Sequence, residues 1–222
     1  MLEPVFTRWV VFDLGETLVD ETRNWSRWAQ YLGVPDLTFF AVLGAVIAAG
    51  RPHTDVFDHF RDNFDLAAEV PRKAAAGLPW GFAADDLYGD ALPVLADLRR
   101  DGFGLAVMAN QPLEAVPFLA TLPVDVVATS AEWGVAKPDA AFFGHVCEVL
   151  EAVPEHIAYV GDRVDNDVVP AAAFGMTAVH LRRGPWGVLQ AAGEAVGAAQ
   201  LRLQNLGELS AGLRRVGFRP QP

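Results

Sequence analysis

The chain has 222 residues, and its 17 basic and 28 acidic side chains give a formal net charge of −11. A hydrophobic share of 52% with only 20% charged residues excludes a disordered chain, which would reverse that balance. The negative charge and the absence of a basic block argue against nucleic acid as a partner.

Short apolar runs recur along the chain between segments with a helical pattern. Continuous rather than alternating apolarity is typical of parallel strands that are covered by helices on both faces. The runs predict strands at residues 9–12, 105–109, 124–128, 157–160 and 177–181. The segment LRLQNLGEL near the C-terminus predicts a last strand and a short helix.

Apolar residues spaced three or four apart predict the intervening helices. One such repeat runs from Leu87 to Leu98 and another from Phe143 to Leu150, and Pro138 is expected in the first turn of the second helix. From about residue 20 to 84 the strand-helix alternation stops, and Pro and Gly breaks separate helices. We therefore expect an α/β core formed by residues 1–17 and 88–222, with residues 18–87 inserted as a helical cap.

Polar residues follow several of the predicted strands. In an open parallel sheet, ligands bind beyond the carboxyl ends of the strands, where loops from several strands meet. Asp13, Asn110, Lys137 and Asp162 lie at or soon after such ends. A carboxylate presented there is a candidate nucleophile, and together these groups indicate phosphoryl-transfer chemistry.

Four segments resemble, in order and spacing, the motifs of the haloacid dehalogenase superfamily. They are FDLGETL, VMANQ, GVAKPD and VGDRVDNDVVPAAAFGM, and together they span nearly the whole chain. The resemblance is to the subfamily with a small helical cap inserted after the first strand. It implies a three-layer Rossmann-like core and a Mg²⁺-dependent phosphatase-like hydrolase in which Asp13 attacks phosphorus and Lys137 contacts the phosphoryl group.

The same resemblance implies the metal ligands: the carboxylates of Asp13 and Asp162 with the backbone carbonyl of Gly15. Asp167 either orients the metal waters or Lys137, or binds the ion itself. An acidic turn that caps the following helix is the alternative interpretation of the segment around Asp162. The three carboxylates and one ammonium sum to about −2, so a phosphate dianion would be bound badly without a cation. This charge count favours Mg²⁺ as the cofactor.

Two positions depart from the family pattern. Gly15 stands where related phosphatases carry a proton-transferring aspartate, so activity on ordinary phosphomonoesters is expected to fall by about 10² to 10⁴-fold. The adjacent Glu16 is the candidate substitute. Ala109 stands where a Ser or Thr hydroxyl normally meets the phosphoryl group, and Asn110 is expected to recover part of that contact. Arg23, early in the predicted cap, is a further candidate substrate contact.

The leading prediction is a weak or specialised phosphatase acting on a small phosphorylated metabolite, with a preference for aryl or acyl phosphates. Gly15 and Ala109 favour the alternative, a non-catalytic or regulatory binding protein that retains the fold. A haloacid dehalogenase is less favoured, because those enzymes place a tyrosine near Gly15 and lack the Gly-Asp metal motif.

Membrane association is not expected. The N-terminal segment lacks the plan of a signal peptide. The longest uncharged stretch, at residues 37–50, is shorter than the roughly 20 residues that cross a bilayer. We expect a cytoplasmic protein that is a monomer or a homodimer.

Overall fold

The computed structural model describes residues 6–220, and within them six parallel strands form one sheet in the order β3-β2-β1-β4-β5-β6. The strands are β1 Trp9–Phe12, β2 Gly104–Ala109, β3 Val126–Thr129, β4 Ile157–Gly161, β5 Thr177–Leu181 and β6 Leu201–Leu203. The residues of β1, β2 and β4 are all buried, as their continuous apolarity predicts. The sheet with its flanking helices confirms the expected Rossmann-like α/β core.

The helices connect these strands or lie in the inserted segment. The α-helices are α1 Thr22–Leu32, α2 Asp36–Ala48, α3 Leu66–Ala75, α4 Ala91–Arg100, α5 Val116–Leu119, α6 Ser130–Trp133, α7 Ala140–Leu150, α8 Val169–Ala173, α9 Gly184–Gln190 and α10 Leu209–Arg215. Val164–Val168 is a π-helix, and short 3₁₀ segments are His53–His59, Ala84–Asp86, Leu113–Ala115, Pro154–His156, Glu194–Ala198 and Leu206–Glu208.

The register of the central strands aligns their carboxyl ends. Phe12, the last residue of β1, pairs with Val107 on one side and with Val160 on the other. Asp13 continues the ladder by one bond, because its backbone N–H donates to the Val160 carbonyl at 2.8 Å. The residues that follow β1 and β4 are therefore held close together at one edge of the sheet.

The chain divides into two compact units, one with the described residues up to Asp20 and from Leu87 onward, the other Glu21–Asp86. Leu18 and Val19 belong to the sheet unit, where Val19 pairs with Leu87 and the Leu18 carbonyl accepts from the Tyr88 N–H at 2.9 Å. The sheet unit thus includes residues 18–20 and Leu87, all of which lie within the predicted insert of residues 18–87.

The second unit is helical and has an aromatic core of its own. Trp28 and Phe39 both pack against Phe57, with ring centroids 4.8 and 6.1 Å away. Among residues 6–220 no single helix has the length and apolarity to span a bilayer. Only when taken together are α1 and α2 long and apolar enough, and the two helices meet at an angle of 111°.

The structure corrects several sequence-based boundaries. The helical repeat predicted from Leu87 begins only at Ala91, because Leu87 forms a bridge with Val19. Pro138 is not in the first turn of α7, which begins at Ala140 because the Asp139 side chain accepts from the Ala141 N–H at 2.9 Å and caps the helix there. β3 begins at Val126 rather than at residue 124, because Val124 forms a turn bond to Leu122.

Candidate active site

Lys137 and two carboxylates form a buried ion cluster at the carboxyl end of the sheet. The Lys137 ammonium lies 2.7 Å from Asp13 Oδ1 and 2.5 Å from Asp167 Oδ1. Burial by itself would lower the pKa of Lys137, but the charges of Asp13 and Asp167 outweigh it and hold that pKa well above its usual value. Lys137 is therefore a permanent cation in this site.

Asn110 fixes the backbone of Lys137. Its side-chain amide donates to the Lys137 carbonyl at 2.9 Å, and its side-chain oxygen accepts from the Lys137 N–H at 2.8 Å. Both polar atoms of the Asn110 side chain are thus occupied by protein. Of the two predicted ways in which Asn110 could contact the phosphoryl group, its side chain is used to hold Lys137, and its backbone N–H is the one that stays a prediction.

Asp13, Asp162 and Asp167 each offer a carboxylate oxygen, and these three oxygens lie within 4.8 Å of one another. Burial raises the pKa of Asp162 well above its usual value, and Asp167, Asp13 and Glu16 add to the rise. Burial also raises the pKa of Asp167, to about 6, although Lys137 opposes that shift. The structure therefore gathers three carboxylates, whose charge Lys137 offsets only in part.

The donor set fits a hard divalent cation. Asp162 Oδ2 is buried and has no hydrogen-bond partner among residues 6–220. An unpaired buried carboxylate oxygen is costly, so an external positive partner is needed there. Mg²⁺ prefers oxygen ligands, with one or two carboxylates from the protein. Gly15, the expected carbonyl ligand, lies two residues after Asp13 in the same loop.

Close packing positions Asp167. A Cβ added at Gly161, the last residue of β4, would lie 2.2 Å from Asp167 Oδ2, so a side chain at that position would displace the carboxylate. The Arg163 N–H donates to the same oxygen at 3.0 Å. The two carboxylate oxygens of Asp167 are thus divided between this backbone contact and Lys137.

Glu16 has an unusual backbone and a specific partner. Its φ of 52° is in the left-handed region, which costs a non-glycine residue about 1–3 kcal/mol. The side chain is buried, and its Oε2 accepts a hydrogen bond from the Tyr88 hydroxyl at 2.6 Å. Such strain persists where the surroundings fix the residue, and it is common at functional sites. Tyr88 lies in no recognisable motif, so its place beside Glu16 was not predicted from the sequence.

The remaining predicted substrate contacts, Ala109 and Arg23, have different surroundings. Ala109 is the last residue of β2 and is fully buried, and its methyl group offers no hydrogen bond. Arg23 belongs to the helical unit, where its guanidinium pairs with Asp86 and donates to the Gly81 carbonyl at 3.1 Å. The donors of Arg23 are therefore at least partly used inside that unit.

The sequence comparison identifies the family. The model of the haloacid dehalogenase-like hydrolase family matches residues 7–175. The chain belongs to that family. In this member of the family, one cluster contains Asp13, Lys137, Asp162 and Asp167.

Two proteins with a similar sequence are phosphatases by name. A glyceraldehyde 3-phosphate phosphatase of Methanopyrus kandleri is 36% identical over 145 residues, which is 62% of each chain, so this chain spans about three-fifths of that relative. A plasmid-encoded phosphoglycolate phosphatase of Cupriavidus necator is 31% identical over 192 residues, 79% of this chain and 80% of that protein.

A solved structure has the same fold as this chain. The 2-haloacid dehalogenase of Pseudomonas syringae pv. Tomato superposes with a TM-score of 0.58 and 21% identity, covering 94% of this chain and 99% of that one. At this identity the match establishes the shared fold alone, and the fold hosts both dehalogenases and phosphatases. The assignment of an activity therefore depends on the site residues and the sequence relatives.

Proposed function

We propose that this haloacid dehalogenase-like hydrolase is a Mg²⁺-dependent phosphatase of small phosphorylated metabolites. The observation that carries the proposal is the buried cluster in which Lys137 contacts Asp13 and Asp167 while Asp162 Oδ2 lacks a protein partner. A bound Mg²⁺ would neutralise charge on the phosphoryl oxygens. A dehalogenase attacks carbon and needs no metal, so it would leave the unpartnered Asp162 oxygen unexplained.

Asp13 is the proposed nucleophile. One of its carboxylate oxygens attacks phosphorus, the bond from phosphorus to the leaving oxygen breaks, and an aspartyl-phosphate forms on Asp13. Lys137 holds a phosphoryl oxygen by its ammonium, and the backbone N–H of Asn110 is the proposed second donor. Water then attacks phosphorus in the aspartyl-phosphate, the bond from phosphorus to the Asp13 oxygen breaks, and inorganic phosphate leaves with the Asp13 carboxylate restored. Asp162 and Asp167 hold the cation in this scheme.

Glu16 is the proposed proton-transfer group in place of the aspartate that Gly15 replaces. Its carboxyl protonates the leaving oxygen in the first step, and its carboxylate accepts a proton from water in the second. Its burial and its fixed hydrogen bond to Tyr88 support this assignment. Because the substitution is imperfect, we expect faster turnover of substrates with good leaving groups, such as aryl and acyl phosphates.

The substrate class comes from the relatives. Glyceraldehyde 3-phosphate and phosphoglycolate, the substrates in their names, are small phosphorylated acids or aldehydes. We propose a substrate of similar size for this chain, and we propose that the helical unit Glu21–Asp86 acts as a cap that selects its organic part. Cytoplasmic location and a monomeric or homodimeric state remain predictions.

The test is phosphate release from a panel of small phosphate esters, with Mg²⁺ or with a chelator. We expect activity with Mg²⁺ only, and a loss on the order of 10³-fold or more in Asp13→Asn. Asp165→Asn is the matched control, because Asp165 is an exposed carboxylate of the same acidic segment that pairs with Arg163. It is expected to keep the wild-type rate within about twofold.

Gly15 and Ala109 support a second candidate, a binding protein that kept the metal site without catalysis. If wild-type protein and Asp13→Asn release phosphate equally slowly on every ester while Mg²⁺ still binds, the binding function replaces the phosphatase. Isothermal titration with Mg²⁺ and inorganic phosphate gives that second measurement.

A further inference from the structure

A chain of contacts behind Glu16 involves residues far apart in sequence. Tyr88 donates its hydroxyl to Glu16 Oε2 at 2.6 Å, and the Arg183 guanidinium lies 4.1 Å from the centre of the Tyr88 ring. Arg183 also donates to the Thr17 carbonyl at 3.0 Å and to Asp90 Oδ2 at 2.5 Å. The loop that contains Glu16 is thereby tied to the end of β5.

The first turn of α9 brings Glu16 and the metal cluster together. A Cβ at Gly184 would lie 2.6 Å from the Glu16 side chain, and a Cβ at Gly187 would lie 3.3 Å from the Cβ of Asp162. Residues three apart in a helix share one face, so Glu16 and Asp162 adjoin the same face of one turn. Glu16 therefore lies beside the cluster with little space to change its orientation.

We propose that Tyr88 is a positioning residue that holds the Glu16 carboxyl toward the reacting oxygen, and that Arg183 holds Tyr88. The inference rests on the proposed function, in which Glu16 transfers the proton. Three observations carry it: the short hydroxyl-carboxyl hydrogen bond, the planar guanidinium over the ring, and the tight contact of Glu16 with Gly184.

The proton balance assigns Tyr88 no chemical step. As the bond between phosphorus and the leaving oxygen breaks, the Glu16 carboxyl gives its proton to that oxygen. Tyr88 keeps its own proton throughout, because burial and the hydrogen bond to Glu16 raise the pKa of the phenol above its usual range. The hydrogen bond from the phenol to Oε2 thereby fixes the orientation of the Glu16 carboxyl.

The test is the dependence of kcat on the basicity of the leaving group, measured from p-nitrophenyl phosphate to alkyl phosphates. When the general acid is lost or misplaced, kcat falls most for substrates with poor leaving groups, because those groups need protonation most. Glu16→Gln is expected to lower kcat on alkyl phosphates by about 10²-fold and on p-nitrophenyl phosphate much less. Tyr88→Phe removes only the hydroxyl and is expected to cost about 10-fold on alkyl phosphates and about twofold or less on p-nitrophenyl phosphate.

A double-mutant cycle separates positioning from a structural role. If Tyr88 acts through Glu16, adding Tyr88→Phe to Glu16→Gln changes kcat by about twofold or less. Tyr31→Phe is the matched control, because the Tyr31 hydroxyl also donates to a glutamate at 2.6 Å, but within the helical unit. It is expected to leave the leaving-group dependence unchanged. Arg183→Lys has no planar guanidinium over the Tyr88 ring, so it should lower kcat on the same leaving groups as Tyr88→Phe does. It replaces Tyr88→Phe in the test if Tyr88→Phe folds poorly.

Equal losses on all leaving groups, or additive losses in the double variant, would overturn the role of Tyr88 while the phosphatase stands. If wild-type protein releases no phosphate in an Asp13-dependent manner, the proposed function fails, and the role of Tyr88 fails with it.

Discussion

The two buried lysines of this chain are expected to respond in opposite ways to the same substitution. Lys137→Met removes the ammonium that contacts Asp13 and Asp167, and three carboxylate oxygens within 4.8 Å of one another then lose that contact. At an effective dielectric constant of 20, two unit charges 4.8 Å apart repel by about 3.5 kcal/mol. Protonation of the cluster limits this cost, so we expect the free energy of unfolding to fall by about 3–5 kcal/mol.

Lys73 provides the matched comparison in the helical unit. Its ammonium donates to the Leu78 carbonyl at 2.5 Å and lies 4.8 Å from the Trp28 ring, and no carboxylate of residues 6–220 pairs with it. Burial lowers the pKa of Lys73 to about 8, so its charge is unfavourable in the folded state. Lys73→Met is therefore expected to stay within about 1 kcal/mol of the wild type or to be more stable.

The assay is denaturant unfolding followed by circular dichroism, first with a chelator and then with Mg²⁺. Mg²⁺ at about 100 times its dissociation constant adds about 2.7 kcal/mol to the stability of a protein with one site. Mg²⁺ should stabilise Lys137→Met at least as much as the wild type, because this variant has no ammonium that competes with Mg²⁺ for the carboxylates. If Lys137→Met is as stable as wild type without Mg²⁺, the reasoning about the ion cluster is wrong.

Three further predictions follow from single contacts. Asn110→Ala removes both hydrogen bonds to the Lys137 backbone and should cost about 1–3 kcal/mol in denaturant unfolding together with a lower kcat; unchanged values would contradict the role of Asn110. Gly161→Ala places a methyl group 2.2 Å from Asp167 Oδ2 and should cost about 1–3 kcal/mol and weaken Mg²⁺ binding in calorimetry; normal binding would count against it. Burial lowers the pKa of Lys73 to about 8, so between pH 8 and the usual lysine pKa the folded state binds fewer protons than the unfolded state. As the pH rises through that window, the melting temperature of the wild type should therefore increase relative to that of Lys73→Met. A difference in melting temperature that does not change with pH would refute this prediction.

The core of the fold was predictable because local sequence decides it. Strands at residues 9–12 and 177–181 occur where continuous apolar runs predict them, since both faces of a central parallel strand are buried. Boundaries were less certain. α7 begins at Ala140, after Pro138, because the Asp139 side chain accepts a hydrogen bond from the Ala141 N–H and caps the helix there.

The site was only partly predictable, for a related reason. Asp13, Lys137 and Asp162 follow strands or lie in motifs, so their convergence was visible in the sequence. Tyr88 lies in no motif, and it reaches Glu16 only because the chain returns to the sheet unit at Leu87. Arg183 follows β5 and contacts Tyr88 and Thr17 rather than Glu16 itself. Contacts of that kind depend on tertiary packing, which a linear pattern does not encode.

The central claim is that Asp13 carries the phosphoryl group covalently. The most direct measurement is rapid acid quenching of the wild-type protein during turnover of p-nitrophenyl phosphate with Mg²⁺, followed by peptide mass spectrometry. We expect a phosphoryl group on the peptide that contains Asp13, and none on that peptide when Mg²⁺ is chelated. Phosphate release with that peptide unmodified, or with the phosphoryl group on another residue, would contradict it.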